Sequence, residues 1–172
     1  TFAYAYMRYY WTSIFNNRTD DANQAFQHLM KYLYRVPERT QLSLKVTYYF
    51  FVEPDPEMAL ELTEKWAELY PEDVDAYLRL THLYMLRHEK AKELEAYKTL
   101  LNIDPGQHDY ILKIGELYKN QGDFKVALEH YQLYADKYPD HAKSFMELGG
   151  LHMTFGKYEK ARSYYRKALQ LE

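Results

Sequence analysis

The chain has 172 residues, 47% hydrophobic and 27% charged, with a net charge of −3. That is enough apolar material for a packed core, and it lacks the basic excess of a nucleic-acid-binding domain. Cysteine is absent, which excludes disulfides, thiolate metal sites and cysteine nucleophiles. No apolar run approaches the roughly 20 residues of a membrane span, and no signal-peptide pattern is present.

Apolar spacings of three and four predict ten helices in chain order. The first pair covers about 2–16 and 21–35 and ends at Pro37. The chain begins Thr-Phe-Ala inside this first pattern, and we read it as an excerpt of a longer protein. The second pair, about 39–52 and 56–69, is interrupted by Glu53-Pro54-Asp55-Pro56 and ends at Pro71. The third, about 73–86 and 89–102, ends at Pro105, and the fourth, about 107–120 and 123–137, ends at Pro139. Between the helices of the fourth pair stands Asn120-Gln121-Gly122-Asp123. Gly122 is suited to a left-handed C-cap and Asp123 to an N-cap. Asp104 and Asp140 are expected to mark similar boundaries beside their prolines. The last pair is about 141–154 and 157–171.

Pro37, Pro71, Pro105 and Pro139 recur at intervals of 34 residues. A proline disfavours helix in the residue before it, so each closes a second helix. The same interval carries Gly115 onto Gly149, Leu117 onto Leu151, Gly122 onto Gly156, Phe124 onto Tyr158, Ala127 onto Ala161 and Tyr131 onto Tyr165. Crossing helices approach closely only where one side is small. Gly115 and Gly149 meet that need on the first helix, Ala127 and Ala161 on the second. Tyr118, Tyr131 and Tyr165 are expected to fill the spaces between successive pairs.

These positions resemble the tetratricopeptide repeat (TPR) family. Ile111, Ile114-Gly115, Tyr118, Ala127, Tyr131 and Pro139 carry the pattern in repeat four. Phe145, Leu148-Gly149, Ala161, Tyr165 and Ala168 carry it in repeat five, with His152 where the family has tyrosine. Repeat three keeps Tyr77, Leu80, Tyr84, Tyr97 and Pro105 but has Glu93 in place of an alanine. Repeat two keeps Val46, Phe50, Ala59 and Pro71, and repeat one keeps Tyr9, Ala25, Leu29 and Pro37. The resemblance implies an all-α fold, an α-solenoid of five helix-turn-helix repeats in a right-handed superhelix. It implies one array over 1–172, with repeats at about 6–37, 40–71, 74–105, 108–139 and 142–172. The texture of residues 36–51 and 59–84 also resembles TPR tails of bacterial signalling proteins, which follow kinase, cyclase or winged-helix modules. That implies a regulatory arm and a cytoplasmic location.

Chemistry-bearing motifs are missing. The seven histidines form no HExxH and no pair at helical spacing, and neither GxxxxGK[ST], GxGxxG nor G-x-S-x-G occurs. We therefore expect no catalytic residue, no metal site, no cofactor and no enzyme activity. Asn17-Arg18-Thr19 is a formal glycosylation sequon, set aside for a presumed bacterial chain. Charge is uneven: residues 51–105 hold 13 acidic and 6 basic side chains, which reads as a solvated face or as a dock for a basic partner.

In TPR arrays the first helices line a concave groove. By register, the resemblance turns inward Met7, Tyr10, Ile14 and Asn17; Gln41, Leu44, Tyr48 and Phe51; Asp75, Leu78, His82 and Met85; Asp109, Leu112, Glu116 and Lys119; and Lys143, Met146, Gly150 and Met153. The expected partner-binding groove is an apolar strip of Tyr10, Ile14, Leu44, Tyr48, Phe51, Leu78, Met85, Leu112, Met146 and Met153. Arg79, His82, Lys113 and Glu116 form its polar border. The Lys-Asn clamp of chaperone-binding members is missing, so a peptide or helix held by apolar contacts is the expected occupant. Helix 157–171 offers Tyr158, Tyr165 and Leu169 for self-association through the terminal repeat. The expected function is a non-enzymatic protein-interaction scaffold. The alternatives are a periplasmic or secretion assembly adaptor and, further off, an enzyme domain on a helical-repeat scaffold.

Overall fold

The computed structural model describes residues 2–171. Among them every regular element is helical: α1 (Phe2–Phe15), α2 (Thr19–Met30), α3 (Glu38–Phe51), α4 (Pro56–Leu69), α5 (Val74–Leu86), α6 (Lys90–Ile103), α7 (Asp109–Asn120), α8 (Phe124–Lys137), α9 (Ala142–Thr154) and α10 (Tyr158–Leu169). Nine of the ten expected helices appear to within two residues at each end. The exception is α2, which ends at Met30 and is followed by a 3₁₀ turn at Leu33–Arg35. Leu33 and Val36 are both buried, and the three-residue period of a 3₁₀ turn puts both on one side.

Three of the four prolines close a second helix as the sequence implies, whereas Pro37 follows the 3₁₀ turn, with Val36 extended before it. Tyr70, Asp104 and Tyr138, each just before a proline, share one backbone geometry, with φ of −133°, −129° and −131° and ψ of 73°, 82° and 69°. Helical ψ is denied to each by the following ring, while each N–H still donates to the last turn, at Trp66, Leu100 and Tyr134. Aspartates open several helices. Asp55 accepts from the Met58 N–H, Asp73 from the Asp75 N–H and Asp123 from the Val126 N–H. Asp104 instead bonds the Gly106 N–H, and His141 rather than Asp140 stands at the N-cap of α9.

Between the helices of the last three pairs, one position is left-handed each time. Gly122 has φ of +85° and Gly156 of +68°, but the equivalent residue 34 earlier is His88 at +58°. A side chain there is strained, since Cβ crowds the following carbonyl. His88→Gly is therefore expected to stabilise the chain by about 0.5–1 kcal/mol, read from the midpoint of urea unfolding.

The chain forms two compact units, Thr1–Arg87 and His88–Glu172. The division falls inside the third expected repeat. In the first unit, Ala3, Tyr10, Ala22, Ala25, Phe26, Leu29, Leu44 and Tyr48 make one core. In the second, Ile111, Ala127, Tyr131, Tyr134, Phe145, Leu148 and Leu151 make another.

Within the second unit the glycines define the helix contacts. A Cβ on Gly115 would lie 2.7 Å from the Tyr131 ring and 3.3 Å from the His130 Cβ. A Cβ on Gly149 would lie 2.7 Å from the Tyr165 ring. Each tyrosine thus fills the gap left by the glycine of its own pair, rather than the space between pairs. The two sites differ in freedom: Tyr131 is 1% exposed and Tyr165 is 37% exposed. Gly115→Ala is expected to destabilise by about 1–3 kcal/mol, because nothing can yield. Gly149→Ala is expected to be within about 1 kcal/mol of neutral, since Tyr165 can swing outward and alanine favours helix. Urea unfolding of the two variants compares them directly.

Candidate partner-binding faces

The expected strip divides into buried and exposed members. Tyr10, Leu44, Tyr48 and Leu112 are buried, so these four belong to the cores and offer no open surface. Tyr10 is wedged between first helices, its hydroxyl donating to the Leu44 carbonyl at 3.4 Å, and burial pushes its ionisation well above the usual range. Tyr48 stacks on Phe26 with ring centres 4.0 Å apart. Its hydroxyl lies 2.8 Å from a Glu53 carboxylate oxygen and 3.0 Å from the Asn23 amide oxygen, and accepts from Gln27 at 3.4 Å. Burial, then the Glu53 carboxylate, raises its ionisation too.

The exposed members are Phe51, Leu78, Met85, Met146 and Met153, between 41% and 49% open. In the first unit α3 and α5 present Phe51, Leu78 and Met85, with His82 exposed beside them and Ile14 and Arg79 half-buried. Phe50, assigned from sequence to the repeat signature and not to the strip, joins this face: its ring lies 4.9 Å from Phe51 and 5.1 Å from His82. The signal was legible as an aromatic next to a strip residue. In the second unit α9 presents Met146 and Met153, one on each side of Gly150. Lys113 pairs with Glu116 at 3.1 Å, which raises the lysine's ionisation, and Lys119 pairs with Glu147 at 2.7 Å. Glu93, in the position where the repeat pattern has alanine, is buried, and that burial raises its carboxyl despite the nearby Lys113. On α10, Tyr158 and Leu169 are exposed.

The histidines show an exchange that the repeat makes visible. Tyr118 on α7 stacks on His130 on α8, with ring centres 5.6 Å apart. Thirty-four residues on, the roles are reversed: His152 on α9 stacks on Tyr164 on α10 at 5.3 Å. Nδ1 of both histidines is buried without a hydrogen-bond partner. Burial lowers the ionisation of each below the ordinary 6.5, and Lys160 and Lys157 lower that of His152 further. A lowered folded pKa means that the unfolded chain binds the proton more readily. Stability is complete above about pH 6.5 and falls as the pH drops through that value toward the folded pKa. The unfolding midpoint is expected to fall between pH 7.5 and 5.5, and His152→Tyr, which restores the residue type of Tyr118, to make that fall smaller. Thermal melts across this range check it.

Among the described residues no group of three metal-binding side chains converges, and no helix is long and apolar enough to cross a membrane.

Two cores of paired helices, repeating at 34 residues, define an α-helical repeat protein. Residues 112–171 match the tetratricopeptide repeat family model. Solved structures extend the likeness over the whole chain. One crystal structure of MamA protein is 22% identical with a TM-score of 0.78, covering 99% of this chain and 92% of that one. A second MamA crystal structure is 23% identical with a TM-score of 0.73, covering 93% and 92%. MamA residues 41 to the end from Desulfovibrio magneticus RS-1 are 15% identical with a TM-score of 0.76, covering 99% and 94%. At these identities the likeness is one of fold. No curated protein matches the chain in sequence. Residues 112–171 thus carry a tetratricopeptide repeat match, and the chain as a whole shares the fold of these solved structures.

Proposed function

We propose that the chain is a protein-interaction scaffold that holds a peptide or helical segment against the exposed faces of its first helices. The observation that carries this is the set of large apolar side chains left open on α3, α5 and α9, namely Phe51, Leu78, Met85, Met146 and Met153. These helices also supply core residues from their other faces, so the open side chains are surplus to packing. Methionine and phenylalanine suit a segment that must be gripped without fixed polar geometry. The repeat family and the MamA-like fold support a scaffold. Its service as a regulatory arm of a larger bacterial cytoplasmic protein follows from the sequence texture.

The test uses the immobilised chain and lysate of its source cells. Leu78→Glu with Met85→Glu in the first unit, and Met146→Glu with Met153→Glu in the second, are expected to keep the wild-type helical circular dichroism. At least one pair is expected to weaken capture of a wild-type partner by tenfold or more, the effect of losing a buried apolar anchor. Undiminished capture by both pairs would refute the reading. Substituting Tyr48 or Leu112 would not serve, because both are in the cores.

A further inference from the structure

A cavity of about 630 Å³ opens in the first unit at the turn from α4 to α5. Leu69, Tyr70, Pro71 and Val74 give it an apolar wall, and Glu72 and Asp75 are exposed at its edge. One guanidinium also lines it, but its charge is already engaged. Arg39 reaches 34 residues along the chain to hold Asp73, with Nε at 2.5 Å and Nη2 at 2.9 Å, and its Nη2 also reaches Asp75 at 2.8 Å. The guanidinium lies 5.5 Å above the Trp66 ring, and the Trp66 indole N–H donates to Asp73 at 2.8 Å. Burial raises the Asp73 carboxyl, but the bonds from Arg39 and Trp66 outweigh it and hold the group ionised below its usual range. The walls are therefore fixed in place, and three carboxylates face one cation.

We propose that this cavity seats a lysine or arginine side chain of a protein partner, with an adjacent apolar residue of that partner against Leu69 and Val74. The choice of occupant follows from charge. An anionic ligand, whether nucleic acid, phosphate or lipid headgroup, meets a net negative edge and is repelled. A basic head on an aliphatic stem satisfies both halves of the site, the stem on the apolar wall and the charge at Glu72 and Asp75. On α4, Glu57 is paired with Arg87, and Glu61, Glu64 and Glu68 beside Lys65 add a field that draws such a segment in. The proposal rests on the protein-binding reading and names the chemistry of one part of the partner.

The probe is the capped tripeptide Leu-Arg-Leu, titrated into the ¹⁵N-labelled chain. The Trp66 indole N–H reports on the site through its bond to Asp73, and the Trp11 indole on α1 serves as the control. A saturable shift of Trp66 without one of Trp11 is expected. Leu-Glu-Leu should give no such shift, and Glu72→Gln, an exposed substitution, should weaken the Leu-Arg-Leu shift by about threefold or more. Asp75→Asn should weaken it as well. An unmoved Trp66, equal binding of Leu-Glu-Leu, or wild-type affinity in both variants would each overturn the proposal. The tripeptide needs none of the exposed residues of the scaffold reading, so its failure leaves that reading standing. Loss of lysate capture with the tripeptide still bound would separate the two in the other direction.

Discussion

The Tyr131 ring lies where a Cβ on Gly115 would have to be. That one contact ties the period to the fold. Glycine at the crossing lets α7 and α8 come close, and the aromatic of the second helix fills the space that a side chain would have taken. Tyr165 repeats the contact over Gly149. Both partners must return together, so the interval between them cannot drift: two helices of 12–14 residues and their short turns give 34. The prolines that close α4, α6 and α8 keep the same count.

This geometry also accounts for the open side chains. A first helix in such a pair uses one side to meet its second helix, and its other positions pack or remain open according to how closely the neighbouring elements approach. In α9, Phe145, Leu148, Gly149 and Leu151 are consumed by packing, while Met146 and Met153 remain outside. In the first unit two of the strip residues are closed in. Tyr10 reaches the Leu44 backbone and Tyr48 is closed in by Phe26.

Most of the helical layout was readable because its causes are local. Pre-proline sterics, aspartate caps and the left-handed Gly122 act within a few residues. The end of α2 was not readable, because the 3₁₀ turn answers to the burial of Leu33 and Val36, a tertiary matter. The strip was half readable. Register put Phe51, Leu78, Met85, Met146 and Met153 on faces that the structure leaves open, but register alone does not give the distance between helices, and that distance buried Tyr10, Leu44, Tyr48 and Leu112. The exchanged pairs Tyr118–His130 and His152–Tyr164 were present in the sequence as two substitutions at equivalent positions. They acquire meaning only when the rings are seen to stack. The cavity beside Trp66 depends on Arg39 spanning one full period to Asp73, a contact no local rule supplies.

The central claim is that the apolar residues left open on the first helices are the ones that hold a partner. Methionine methyl groups test it most directly, because the chain carries six and they differ in placement. The chain labelled at methionine ¹³Cε would be observed alone and in unlabelled lysate of its source cells. The account predicts that the Met85, Met146 or Met153 signals shift or broaden while Met30, exposed on α2, and Met58, half-buried on α4, stay in place. Perturbation of Met30 alone, with the methionines of α5 and α9 unmoved, would contradict it and move the binding surface to the second helices.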